Sequence, residues 1–322
     1  MEKDLVKSKV DWDLYRKDFP ITEELTYLNN AAVSPLSTRI LNAITEIAKA
    51  YSLKGTTCRE KVIETERTSR ELVAKLINAE PDEIAFTKNT TEGVLITAKG
   101  IKWEEGDNVV LPQGEFPANV YPWLSLREEG VEIRMVEPAN EKVTAEMLID
   151  SCDSKTKMVS VSAVQFSSGY RIDLKKLSQF CKENGIYLHV DGIQAIGMLD
   201  LDVKELGVDF LSSGGQKWLL AASGIGFFYI RKELIEELSI YNPGWLSIED
   251  EWDFFNYNQG YKRDARRFEE GSKNILGISA LGESSKRFLE IGMQAIEERV
   301  IELSDKLEEG LRERGYNILS PR

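Results

Sequence analysis

The stretch Leu211 to Gly224, LSSGGQKWLLAASG, carries one lysine, Lys217, among serines and glycines and just ahead of an apolar run. Taken alone, such a lysine is a solvated loop residue, a phosphate ligand or a covalent catalyst. VDFLSS (208–213) before it and GIGFFYI (224–230) after it both read as buried strands, so Lys217 stands where a strand ends. In open α/β sheets, ligands gather beyond the carboxyl ends of the strands.

Working outward, the same pattern recurs. EIAFT (83–87), NVVLP (108–112), VEIRMVEP (131–138), MVSVSAVQ (158–165) and IYLHVD (186–191) read as strands. TEGVLITAKGI (91–101) reads as a helix with Thr90 or Thr91 as its cap, and NVYPWLSLREEG (119–130) as a helix ending at Gly130. Asp173 caps a helix with Leu174, Leu177, Phe180 and Cys181 on one face, and Gly185 ends it. Strands alternating with helices predict an α/β fold, a three-layer sandwich around a mostly parallel central sheet. After a short helical piece near Arg231, residues 241–274 are aromatic, polar and weakly periodic, and read as a long loop. Residues 275–315 read as largely helical, with Ile296, Val300, Leu303, Leu307 and Leu311 as a buried stripe, and YNILS (316–320) as one strand. The predicted organisation is an N-terminal segment (1–26), a large domain (27–275) and the start of a smaller, apparently truncated α/β domain (276–322).

Composition removes whole classes of function. The chain has 322 residues, 42% of them apolar, and 41 Lys and Arg against 54 Asp and Glu, a formal net charge of −13. An acidic surface repels nucleic acid and anionic membrane, so neither is expected as a partner. No N-terminal stretch has the apolar centre of a signal peptide, and the longest apolar run is too short to span a bilayer. Three scattered cysteines and one histidine, His189, make no Cys/His metal site. A cytoplasmic protein without a metal is expected.

Four features share the strand ends. TKNTTEG (87–93) places Thr90 and Thr91 at a helix N-terminus, a phosphate site or a plain cap. VDGIQAIG (190–197) puts Asp191 on a turn with Gly192, and Gln194 follows along it. Lys217 lies 26 residues after Asp191, about one helix-plus-strand unit on. GEFPANVYPW (114–123) presents Phe116 on a turn stiffened by Pro117, to stack on a flat ligand or to pack in the core. Pyridoxal 5'-phosphate (PLP) needs all four: an amine, a carboxylate for its ring nitrogen, a phosphate cradle and an aromatic face.

At these residues the sequence resembles the class V aminotransferase and cysteine desulfurase family of fold-type I PLP enzymes. The resemblance runs through YLNNAAVSP (27–35), FTKNTTEG, GEFPANVYPW, VDGIQAIG, SSGGQKWLL, GIGFFYI and RRFEEGSKN (266–274). It implies that Lys217 forms the Schiff base and moves protons at the substrate α-carbon. Asp191 would pair with the pyridine nitrogen, Gln194 contact the ring hydroxyl and Phe116 stack on the ring. Thr90, Thr91, Ser213 and Gln216 would hold the phosphate, with Ser213 at an offset from the lysine unlike the family's serine. Gly271 and Ser272 match the segment that reaches the phosphate from the neighbouring subunit, which implies a homodimer with a shared active site. Asn30 and Ala31 lie on the substrate loop.

Three departures shape the expected reaction. Cysteine desulfurases carry histidine where Phe116 stands, and the EFPANVYPW form is nearer the isopenicillin N epimerase-like branch. Gln216 replaces the histidine usual before the lysine, and glutamine never carries a proton charge. None of Cys58, Cys152 and Cys181 matches the desulfurase nucleophile, and no arginine for the substrate carboxylate is located. The leading expectation is a PLP enzyme acting on a small amino acid by transamination, epimerisation or lyase chemistry. A cysteine desulfurase or selenocysteine lyase is the second, and a catalytically silent scaffold the third.

Overall fold

The structure, a computed structural model, describes residues 10–321. The first nine residues of the predicted N-terminal segment and Arg322 lie outside the described residues.

Seven strands form one sheet: β1 (Ile84–Thr87), β2 (Asn108–Pro112), β3 (Glu132–Val136), β4 (Thr156–Ser162), β5 (Tyr187–Asp191), β6 (Phe210–Gly214) and β7 (Gly226–Ile230). Their order across the sheet is β3-β2-β4-β5-β6-β7-β1. Neighbours pair in parallel from β3 to β6, and β7 runs antiparallel to both β6 and β1. The helices used below are α1 (Thr38–Lys54), α2 (Arg59–Leu76), α3 (Thr90–Gly100), α4 (Leu174–Asn184), α5 (Ile275–Ile291) and α6 (Met293–Glu313).

The strands are apolar on both faces because both are covered. Alternate residues serve opposite layers. Ile84, Val110, Val159, Leu188, Leu211 and Phe227 join one core with residues of α1, α2, α4 and α5. Ala85, Val109, Met158, Phe210 and Phe228 join the other with Val94, Ile96 and Ala98 of α3 and with Trp123. The three-layer α/β sandwich read from the sequence is the fold observed. Asp173 caps α4 and Gly185 closes it in the left-handed region at φ 67°, as its sequence signals require.

Several local expectations are corrected. The cap of α3 is Asn89, whose side chain accepts from Glu92 N, because Thr90 and Thr91 already lie inside the first turn. Residues 119–130 do not form one helix. They break into short turns at Pro117–Asn119, Tyr121–Leu124 and Arg127–Glu129, since Pro122 removes a donor and clashes with the preceding turn. The stripe on α6 is buried only at its start. Ile296 joins the core, but Leu303 is 48% and Leu307 57% exposed. Residues 316–320 form no strand and pair with none of the described strands. Apart from these corrections, α5 contributes Ile278, Leu281 and Phe288 to the main core and packs on α1 and α2. Among the described residues no helix is long and apolar enough to cross a membrane, and no cluster of His, Cys, Asp and Glu could hold a metal ion.

Candidate active site

Lys217 follows β6 on a tight turn. Gly215 N donates to Ile225 O at 2.8 Å, Ala221 N to Gly215 O at 2.8 Å and Leu220 N to Lys217 O at 2.9 Å. Leu220 is held at φ 54°, a strained position for a residue with a Cβ. The turn rests on Gly197, itself at φ 94°, where any Cβ would run into the Trp218 carbonyl. The lysine is thereby held in the interior, at 8% exposure. Its Nζ lies 5.1 Å from the centroid of the Phe116 ring. Burial lowers its pKa, against the attraction of Asp191.

Asp191 ends β5, beside Ser212 of β6. Its carboxylate accepts from Ile193 N at 2.9 Å and is otherwise enclosed. Burial pushes its pKa up to about 7, and the Ile193 bond and Lys217 only partly oppose that. His189, on the same face two residues earlier, is fully buried, with Thr97 Oγ1 at 3.0 Å and Ser212 Oγ at 3.2 Å from its ring nitrogens. Burial drops its pKa to about 3, so it is neutral and packed, as its place on an apolar strand suggested.

The N-terminus of α3 meets the end of β6. Thr90 Oγ1 accepts from Gly214 N at 3.0 Å. Gly93 permits this approach, since a Cβ there would collide with Ser212 Oγ. Thr91 is half-buried on the same first turn. A Cβ at Gly214 would meet Gln216 Oε1 at 2.6 Å, so the Gln216 amide folds over this strand end. The N-terminal loop closes the group. Ser34 N donates to Gln216 O at 2.8 Å, and Ser34 Oγ to Asn30 Oδ1 at 3.2 Å. Gln194 Nε2 donates to Ala31 O at 3.0 Å, while Gln194 Oε1 accepts from Trp218 Nε1 at 2.9 Å.

Lys217, Asp191, Phe116, Thr90, Thr91, Gln194, Gln216, Asn30 and Ala31 thus converge on one region at the ends of β5 and β6. Ser213 does not join them. Alternation along β6 turns its side chain to the face opposite Ser212, and its hydroxyl bonds to its own neighbour's carbonyl, Gly214 O. Gly271 and Ser272 also lie elsewhere, on the loop beside Trp245. Ser272 lines a separate cleft of about 890 Å³ with Arg59, Trp245 and Trp252.

The structure adds partners that the sequence reading passed over. Glu115 is buried beside Phe116 and accepts from Ser162 N at 2.8 Å and from Ser162 Oγ. Phe166 packs edge-on against Phe116, with ring centroids 5.3 Å apart. The visible signal was MVSVSAVQ, where Ser160 and Ser162 recur at period two on a buried strand. The cysteines are poorly disposed for nucleophilic work: Cys58 and Cys181 are buried, and burial pushes the thiols of Cys152 and Cys181 up to about 11 and about 12.

Known proteins resemble this chain along most of its length. The family model described as Aminotransferase class-V matches residues 26–320. A probable cysteine desulfurase of Methanothermobacter thermautotrophicus is 33% identical over 299 residues, covering 91% of this chain and 74% of that protein. An uncharacterized aminotransferase of Schizosaccharomyces pombe is 30% identical, covering 95% and 79%. The apo structure of a cysteine desulfurase from Thermococcus onnurineus NA1 superposes with a TM-score of 0.86 at 27% identity, covering 98% of this chain and 80% of that one. On this evidence the chain belongs to the aminotransferase class-V family and is a PLP-dependent enzyme.

Proposed function

We propose that the region around Lys217 holds PLP and acts on a small amino acid. The observation that carries this reading is a buried amine beside a buried carboxylate, with a half-exposed aromatic ring over the amine and a helix N-terminus at the next strand end. These donors fit the cofactor. Asp191, enclosed and close to half-protonated at neutral pH, suits a partner that brings a ring N–H. Phe116, 42% exposed, offers a flat face, and the free N–H groups of α3 with Thr90, Thr91 and Gln216 suit a phosphate. Gln194 is spent on Ala31 and Trp218, which favours a positioning role for it beside the ring hydroxyl. Ser213 carries no part of this reading. Gly271 and Ser272, beside Trp245 and the separate cleft, are compatible with service to a neighbouring copy, so we propose a homodimer. We also propose a cytoplasmic location and a smaller C-terminal domain that starts within residues 276–322.

When bound, PLP withdraws electrons from the bonds of a substrate α-carbon. Lys217, with its pKa lowered by burial, has a larger uncharged fraction for taking a proton at that carbon and returning it. Phe116 contributes a surface and no proton. This favours transamination, epimerisation or lyase chemistry, as in the isopenicillin N epimerase-like branch, over chemistry that needs an imidazole there. The names of the relatives favour a second reading, cysteine desulfuration; Phe116 and the suppressed thiols oppose it. The test is spectroscopic. Purified protein with added PLP is expected to develop a visible absorbance band, absent in Lys217→Ala, that one small amino acid perturbs. A wild-type protein that takes up no PLP overturns the proposal, and sulfide release from cysteine selects the second reading.

A further inference from the structure

Two buried serines have no part in the reading above. Ser160 and Ser162 of β4 point to one face, and each meets the turn that carries Phe116. Ser160 Oγ donates to Asn119 Oδ1 at 2.6 Å, which also accepts from Trp123 Nε1 at 3.1 Å. Ser162 donates through its backbone N–H and its hydroxyl to the two oxygens of Glu115. Gly114, at φ 89°, reverses the chain so that Glu115 falls back over the end of β4. Phe116 lies between these two attachments. Its carbonyl accepts from Asn119 N at 2.8 Å, closing the turn beneath the ring.

We propose that Glu115 is a positioning residue that, by taking both donors of Ser162, fixes the Phe116 ring over the Lys217 amine and so sets the plane on which the pyridine ring of PLP lies. The inference rests on the PLP reading of the site. The chemistry of the side chain matters. A carboxylate accepts from both Ser162 donors at once, whereas an alanine at 115 accepts from neither. Burial raises the Glu115 pKa while the Ser162 bonds pull it down, so the site holds this acid at a cost that a solvent-exposed glutamate would not bear. Ser162 pairs in register with Asp191, so the attachment of the aromatic turn and the carboxylate at the centre of the site share adjacent strand ends.

The experiment is a double-substitution cycle read as PLP affinity of the full-length protein. Glu115→Ala, and separately Ser162→Ala, are expected to raise the PLP dissociation constant about fivefold to tenfold, the scale of one lost aromatic stacking contact. In a Phe116→Ala background, Glu115→Ala is expected to add nothing, because the ring it positions is gone. An unchanged dissociation constant in the protein that retains Phe116 overturns the inference. So does an equal loss in both backgrounds, which marks a role in stability alone. Should Glu115→Ala fail to fold, Ser162→Ala carries the same cycle. A crystal structure of the cofactor-free Glu115→Ala protein separates this inference from the PLP reading. The Phe116 ring is expected to leave Lys217, and a ring still 5.1 Å from the amine overturns the inference whatever the protein binds.

Discussion

Asp191 and Lys217 oppose each other's ionisation problem. Burial drives the carboxyl of Asp191 up to about 7 and the amine of Lys217 down, and the attraction between their charged forms only partly reverses either shift. Each is therefore poised for a partner of complementary charge rather than satisfied by the other.

Asp191 should make the cofactor-free protein less stable as pH rises. The folded pKa is about 7 and the unfolded reference 3.8. Between those values the unfolded chain releases the proton and the folded chain keeps it, so stability falls with rising pH across that window and levels above it. Asp191→Asn lacks the descent. Urea unfolding should find it about equal to wild type near pH 4 and about 2–4 kcal/mol more stable at pH 8. PLP retention should fall in the same variant. Equal stability at pH 8 would argue against the raised pKa.

Glu269 should behave in the opposite sense. It is buried between Arg70 Nη1 at 2.7 Å and Lys273 Nζ at 2.6 Å, and it accepts from Phe86 N at 2.8 Å. Burial alone would raise its pKa, but the guanidinium and the ammonium overcome this and hold it at about 2. Its contribution is present above the unfolded value of 4.5 and is lost as pH falls toward 2. Glu269→Ala strands the buried Arg70 and should cost about 3 kcal/mol or more at pH 7, with a clearly smaller cost below pH 3. Thermal melts of both proteins at the two pH values decide the point.

Gly197→Ala should disturb the lysine turn without touching the lysine. The substitution combines a left-handed φ of 94° with a clash against the Trp218 carbonyl. A loss of about 2–3 kcal/mol is expected, with weaker PLP retention in the folded fraction. Gly185→Ala, at φ 67° with open space around its Cβ, is the control. It should lose about 1 kcal/mol and retain PLP normally.

Asn89→Ala tests the helix N-terminus. The Asn89 side chain accepts from Glu92 N at 3.0 Å, and its loss should cost about 1 kcal/mol in urea unfolding. Thr90→Val should instead break the bond from Gly214 N and loosen the junction between helix and strand. A larger loss of PLP affinity in Thr90→Val than in Asn89→Ala is the expected order.

Much of this protein was legible along the chain. Local rules mark NVVLP as a strand and the residues after Asp173 as a helix, because two-residue and 3.6-residue periods and end caps act within a few positions. The strand-end placement of Asp191 and Lys217 follows from the same periods. Other expectations failed where distant residues decide. Leu303 and Leu307 recur at helical spacing, yet a stripe is buried only where another element covers it, and spacing says nothing of that element. Residues 316–320 have strand composition, but a strand exists only through a partner's hydrogen bonds. Ser213 sits beside the right motif, and the pleat turns it to the wrong face. Glu115 was invisible as a site residue because its meaning lies in Ser162, 47 positions away. The sequence by itself determined the layers, the strand ends and the residue types at them, since these follow from local periodicity and chemistry. Only the tertiary structure decided which side chains share a face, how deeply Asp191 and Lys217 are buried, and what holds Phe116 above the amine, because burial and orientation are set by packing between segments far apart in the chain.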